Sequence, residues 1–151
     1  MKILVLADSH GNNPALRSVV SSENPDHILH LGDNDRDCDV FQTEFPDIPY
    51  RSVRGNCDPL SRGLDIDEFV IEDKRFFMTH GHLYDVKMGK AKIIKAAKER
   101  GVDILLFGHT HVQYHSTDEG LTVLNPGSVG DNKRSYAVIE LSRGEVTCEL
   151  K

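Results

Sequence analysis

The stretch Lys2-Ile3-Leu4-Val5-Leu6-Ala7-Asp8-Ser9-His10 decides the fold. Its first six residues read as a strand. Ile3 to Leu6 run without a polar break, the pattern of a strand buried on both faces of a sheet. The apolar run then stops at a carboxylate and an imidazole, with a loop through Asn12. Asn13-Pro14 opens a helix over Ala15–Ser21, Asn serving as the cap and Pro fitting the first helical position. Strand, polar turn and helix together make one α/β unit. Further strands end in the same way. His27–Leu31 runs into Gly32-Asp33, Tyr50–Val53 into Gly55-Asn56, Arg75–Thr79 into His80, and Asp103–Phe107 into Gly108-His109-Thr110-His111.

The remaining elements are read by the same rules. A short helix or irregular segment leads to Phe45. Ile66–Ile71 and Arg75–Thr79 form a hairpin turning at Glu72–Lys74. Val86–Arg100 reads as a helix with Ala91, Ile94 and Ala97 on one face, a basic last turn and Gly101 as its stop. Short strands are expected at Val112–Ser116, Leu121–Leu124, Tyr136–Leu141 and Glu145–Leu150. No repeat or linker interrupts the chain, so residues 1–151 are read as a single domain. Strand–helix alternation followed by hairpins predicts a mixed sheet packed on a second sheet, with helices outside.

Composition narrows the function classes. With 38% hydrophobic and 28% charged residues, the chain has the make-up of an ordinary soluble globule. A chain of this length buries roughly 68–70% of its unfolded surface. Its longest apolar runs, Ile3–Ala7 and Ile104–Phe107, are far too short to cross a bilayer, and no leader-like segment stands at the start. Cys38, Cys57 and Cys148 lack paired spacing, which argues for a reducing cytoplasm. The net charge of −6 is unlike that of a dedicated nucleic-acid binder. Bound divalent cations would nevertheless dominate the field around their own site.

Seven metal-capable side chains stand at five separated strand ends: Asp8, His10, Asp33, Asn56, His80, His109 and His111. In an extended chain residues i and i+2 face the same way, so Asp8 with His10, and His109 with His111, are each expected to grip one centre. Carboxylate, imidazole and amide donors suit manganese, iron or zinc better than calcium. Two ions a few ångströms apart, sharing one carboxylate, explain the whole set. The run Asp33–Asp37 matches several positions of a helix-loop-helix calcium loop, but Cys38 occupies the required glycine and a strand precedes it. That reading is set aside.

The words DxH (8–10), GD (32–33), GNCD (55–58), HGH (80–82) and GHTH (108–111), in this order, resemble the calcineurin-like metallophosphoesterase family. GNCD and NPGS (125–128) resemble its small bacterial and archaeal phosphodiesterase branch. The resemblance runs from Asp8 to Ser128 and implies a four-layer α/β/β/α sandwich of two mixed sheets flanked by helices. It implies that Asp8, His10 and His111 hold one metal, that Asn56, His80 and His109 hold another, and that Asp33 bridges them. Asp33, Asn56 and His80 are thereby expected to serve catalysis as well. A hydroxide between two ions about 3.5–4 Å apart would attack phosphorus in line. Manganese is the leading expectation, with nickel, zinc or iron as alternatives. The implied activity is phosphodiester hydrolysis on a small-molecule phosphoester in the cytoplasm, with no membrane partner. A nucleic acid is compatible but not indicated, and a homo-oligomer is left open. A phosphomonoesterase and a non-catalytic scaffold like the family's retromer subunit are the rival readings, and the complete ligand set favours an enzyme.

Cys57 departs from the wider family, which has a histidine there beside the substrate phosphate. That histidine's role as an acid cannot pass to Cys57 or Asp58. Cys57, Asp58, His82 and Asn12 are expected beside the substrate or behind the ligands. Asn125–Ser128 is expected near the metals, supporting His10 or the substrate. His27, His30 and His115 read as structural or surface residues. The basic residues from Lys87 to Arg100 read as a solvated helix face.

Overall fold

A computed structural model describes all 151 residues. Its strands are β1 (Lys2–Leu6), β2 (His27–His30), β3 (Tyr50–Ser52), β4 (Ile66–Ile71), β5 (Lys74–Thr79), β6 (Ile104–Leu106), β7 (Tyr114–Asp118), β8 (Leu121–Asn125), β9 (Ala137–Ser142) and β10 (Glu145–Leu150). The helices are α1 (Asn13–Glu23), α2 (Asp39–Glu44) and α3 (Ala91–Arg100). Two five-stranded sheets form, in the orders β10-β9-β1-β2-β3 and β4-β5-β6-β8-β7. Strands β1, β2 and β3 run parallel, as do β5, β6 and β8; β9 and β10 add to the first sheet antiparallel on the side of β1, leaving β3 as its other edge, and antiparallel β4 and β7 close both edges of the second.

Strand alternation explains the layering. Ile3, Val5 and Ala7 point between the sheets, where they meet Leu29, Phe76, Met78, Leu106 and Ile139. Leu4 and Leu6 point the other way, against Leu16, Val20 and Phe41 of α1 and α2. On the second sheet, Phe77, Leu105 and Val123 receive Ile93, Ala96 and Ala97 of α3. The result is the expected α/β/β/α sandwich, each fully buried Leu, Ile or Phe contributing about 1.5–3 kcal/mol. No helix is long and apolar enough to cross a membrane.

Local boundaries differ from the sequence reading most at α1, α3 and β7. The cap of α1 is Asn12, whose side chain accepts the Ala15 N–H at 3.2 Å, and the helix runs on to Glu23. Helix α3 begins at Ala91 instead of Val86. Gly89 and Asp85 have positive φ, and Val86 is drawn into the core, where a Cβ on Gly81 would lie 2.9 Å from its Cγ2. The buried face of α3 is accordingly Ile93, Ala96 and Ala97, while Ala91 is exposed. Finally, β7 starts at Tyr114 and not Val112. The two-residue turn Glu119-Gly120, with φ of 49° and 87°, fixes its register on β8 as Asp118 opposite Leu121.

Candidate metal centre

All six parallel strands deliver their C-terminal ends to one edge of the sandwich. The loops that follow bring Asp8, His10, Asp33 and His111 into one group, and Asp33, His80 and His109 into a second, with the ligand atoms of each group within 4.8 Å of one another. Asn56 joins the second group, its Oδ1 being 3.2 Å from His80 Nε2. Asp33 is common to both, with Oδ2 3.9 Å from His10 Nε2 and Oδ1 3.4 Å from His80 Nε2. The expectation that His109 and His111 face one centre together is corrected, since they fall in different groups. The i, i+2 rule requires extended backbone, and these loops are not extended. Asp8, His10, Asp33, His109 and His111 have φ of 53°, 46°, 59°, 67° and 57°. Left-handed backbone costs an L-residue roughly 1–2 kcal/mol, and such strain gathers at functional sites.

Hydrogen bonds set which ring nitrogens face the cluster. His80 Nδ1 lies 2.7 Å from the Leu31 carbonyl, which can only accept, so Nδ1 carries the proton and Nε2 presents a lone pair. That lone pair faces Asn56 Oδ1, Asp33 Oδ1 and, at 3.1 Å, His109 Nδ1. His111 Nδ1 is held by Asp131 Oδ2 at 3.0 Å, which turns His111 Nε2 toward Asp8 Oδ1 at 3.2 Å and His10 Nε2 at 3.3 Å. Asp8 Oδ1 is buried and receives no hydrogen bond. Electron pairs thus converge on two points with too few protons between them. This donor set has the chemistry of a metal site, and the imidazoles of His80 and His111 are each oriented by a bond to their far nitrogen, as metal-ligating histidines are.

The charges respond to the same crowding. Burial, with the Asp33 charge adding to it, pushes the Asp8 carboxyl up to about 7. Burial also presses on Asp33, but the Cys57 N–H at 2.9 Å and the neighbouring His80 hold it below the usual carboxylate range. Burial draws His80 down to about 4 and lowers His109, the latter with help from the Lys87 charge.

Of the residues behind the ligands, Ser9 and Asp37 were not expected there from the sequence. Ser9 Oγ donates to Asp37 Oδ2 at 2.7 Å, and the same oxygen accepts the Gly11 N–H at 2.8 Å. Asn34 Nδ2 donates to Asp37 Oδ1 at 2.9 Å, so Asp37 ties the loop of Asp8 and His10 to that of Asp33. His30, fully buried, accepts the Gly32 N–H at Nδ1 and stands 3.1 Å from Ser9 Oγ through Nε2. It is structural, as expected, and burial lowers it to about 4. Ser128 Oγ donates to the Asp8 carbonyl and Asn125 Nδ2 to the Gly108 carbonyl, both at 2.9 Å. The 125–128 turn therefore steadies Asp8 and the GHTH loop, not His10. Asn125 and Ser128 were announced by the NPGS word, whereas only a polar side chain near a strand end announced Ser9 and Asp37, and many solvated residues share that signal.

The four flanking residues divide. Asp58 is buried and accepts from the N–H groups of Asn34, Asp35 and Gly55 at 2.8, 3.1 and 2.7 Å, which joins two ligand loops. Asn12 caps α1 and reaches the Gly130 carbonyl. Cys57 is exposed as a residue, and partial desolvation of its sulfur together with the adjacent Asp33 carboxylate raises its thiol. His82 packs beside His80 and His109, with ring centroids 5.4 and 6.1 Å away.

Comparison with known proteins identifies the family and the fold. The model of the calcineurin-like phosphoesterase superfamily domain matches residues 1–144, and the chain belongs to that family. A probable metallophosphoesterase of Mycoplasma pneumoniae is 33% identical, over 97% of this chain and 93% of its own. A phosphodiesterase of Methanocaldococcus jannaschii is 27% identical over 84% of this chain and 83% of its own. Among solved structures, a predicted phosphoesterase of Streptococcus pneumoniae superposes with a TM-score of 0.80 at 25% identity, covering 99% of this chain and 87% of that one. Vps29 of Entamoeba histolytica shares the fold, with a TM-score of 0.77 at 19% identity over 100% and 98% of the two chains.

Proposed function

We propose that this protein hydrolyses phosphodiesters with the help of two divalent metal ions, manganese being the leading choice. The observation that carries the reading is the Asp33 carboxylate, which belongs to two ligand groups at once. Asp8, His10 and His111 would hold one ion and Asn56, His80 and His109 the other. When bound, such ions acidify water and neutralise phosphoryl charge, which removes the need for a side-chain nucleophile. The chain's own contribution is to hold the ligands still. Leu31 and Asp131 orient the imidazoles, and Asp37 and Asp58 lock the loops that carry the carboxylates. Support for an enzyme over a scaffold lies in the complete set of seven ligands on strained backbone, because an unreactive binding surface needs neither.

Leaving-group protonation has no obvious donor. Asp58 is occupied by three N–H groups, and the Cys57 N–H is engaged with Asp33. Esters with good leaving groups should therefore turn over fastest. Metal-stripped protein is to be assayed on bis(p-nitrophenyl) phosphate and on p-nitrophenyl phosphate, with Mn²⁺, Ni²⁺, Zn²⁺ or Mg²⁺ restored. Metal-dependent cleavage is expected on the diester, slower on the monoester, and absent in Asp33→Asn. Undiminished turnover in that variant would remove Asp33 from the centre, and a faster monoester would replace the diesterase reading.

A further inference from the structure

The chain is acidic overall, yet its unpaired cations are not scattered evenly. Of its 18 Lys and Arg residues, most are engaged in ion pairs, carbonyl contacts or cation–π contacts. Arg36, Arg62, Lys87, Lys133, Arg134 and Arg143 make none of these. Arg143 lies in the β9–β10 turn, at the opposite edge from the site, where β9 ends beside the start of β1. Three of the others, Arg36, Lys87 and Lys133, stand beside the metal centre. Lys87 acts on His109, Lys133 lines a groove with His111, and Arg36 lines a groove with Cys57.

The Arg36 groove is the more selective of the two. It has a volume of about 220 Å³ and is walled by Asn34, Asp35, Arg36 and the stretch Cys57–Ser61. It abuts the centre directly, because Cys57 donates its N–H to Asp33 and Asn34 follows Asp33. Its two carboxylates are already engaged, Asp58 by backbone N–H groups and Asp35 by the Ser61 hydroxyl. The guanidinium of Arg36 is its one cationic group, and it makes no ion pair with either carboxylate. Leu60, 83% exposed, and Pro59 give the groove an apolar wall. A planar guanidinium binds phosphate through paired N–H donors, and an apolar wall suits the sugar or base that would link two phosphates.

We infer that the substrate is a diester bearing a second phosphate on one arm, and that Arg36 receives that phosphate in the groove beside Cys57. The inference rests on the phosphodiesterase reading and adds a substrate class to it. It explains why an acidic protein keeps free cations at this rim, since a substrate with more than one negative charge must approach a surface of the same overall sign.

The test compares a thymidine dinucleotide carrying a 5′-phosphate, the same dinucleotide carrying a 3′-phosphate, and the unphosphorylated form, all with the metal that best supports bis(p-nitrophenyl) phosphate cleavage. One phosphorylated form should show a kcat/KM about tenfold higher than the unphosphorylated one, the size of one charge-assisted contact. Arg36→Ala should bring that ratio to about one, Arg36→Lys should keep part of it, and Arg143→Ala should leave it intact. The preference should also shrink as salt is raised. Equal rates on all three dinucleotides in the wild type, or a preference that survives Arg36→Ala, would overturn the inference while leaving the diesterase reading in place. Failure to cleave any diester, the nitrophenyl one included, would overturn both.

Discussion

Replacing Asp8 by asparagine should make the metal-free protein more stable while abolishing metal binding. Asp8 is buried, its Oδ1 receives no hydrogen bond, and its carboxyl is pushed up from 3.8 to about 7, first by burial. Each pKa unit corresponds to about 1.36 kcal/mol, so keeping the carboxylate ionised at pH 7 costs the folded state on the order of 4 kcal/mol. Charge sharing with Asp33 and the desolvation of the new amide reduce the recoverable part to about 2 kcal/mol. The one backbone bond at stake, from the His109 N–H to Oδ2, is available to the asparagine oxygen as well. The sign follows from the raised pKa. Protonated Asp8 is tolerated below pH 3.8, and stability is lost as pH climbs through the folded value near 7. The advantage of Asp8→Asn should therefore be absent near pH 4 and greatest at pH 7. For a chain of this size it amounts to a rise in Tm of about 4–8 °C. Differential scanning calorimetry in EDTA measures it. Adding metal at about a hundred times its Kd should then stabilise the wild type by about 2.7 kcal/mol and leave the variant unmoved. A variant that melts below the wild type in EDTA at pH 7, or that gains as much from metal, would refute the account of Asp8 as an unsatisfied ligand.

Two further predictions follow from the residues behind the ligands. His30 is buried and lowered from 6.5 to about 4, so the unfolded chain takes up a proton that the folded one refuses, and stability falls as pH drops from 6.5 toward 4 by up to about 3 kcal/mol. His30→Asn should flatten urea-measured stability across that window relative to the wild type, and an unchanged slope would mean that His30 is not the group responsible. A Cβ at position 55 would collide with Asp33 Oδ1, so Gly55→Ala should displace the shared carboxylate, cost about 1–3 kcal/mol and strip metal. Wild-type metal content by atomic absorption would contradict this.

The ligand words were legible because the chemistry demands particular residue types and because each sits where an apolar strand stops. The two-sheet architecture was legible for a similar reason, since Ile3–Leu6 and Ile104–Phe107 are apolar without interruption and need cover on both faces. The start of α3 was misread because helical periodicity extends formally back to Val86, and nothing local shows that Val86 is drawn beneath Gly81. Asp37 and Asp131 looked like loop residues, and Asp58 and Ser128 were expected near the site without their partners. Their roles depend on backbone N–H groups, carbonyls and rings as many as 120 positions away.

What the sequence determined alone was the inventory: which donors exist, that they end strands, and that glycines let the loops approach one another closely. The division of those donors was decided by tertiary structure. His109 and His111, two positions apart, serve different groups because left-handed backbone turns them away from each other, and that conformation persists only where surrounding loops enforce it. Hydrophobic pattern is a property of neighbours in the chain and can be read one segment at a time. Ligand geometry is a property of six strand ends meeting at one edge, and it exists only once both sheets have closed over their core.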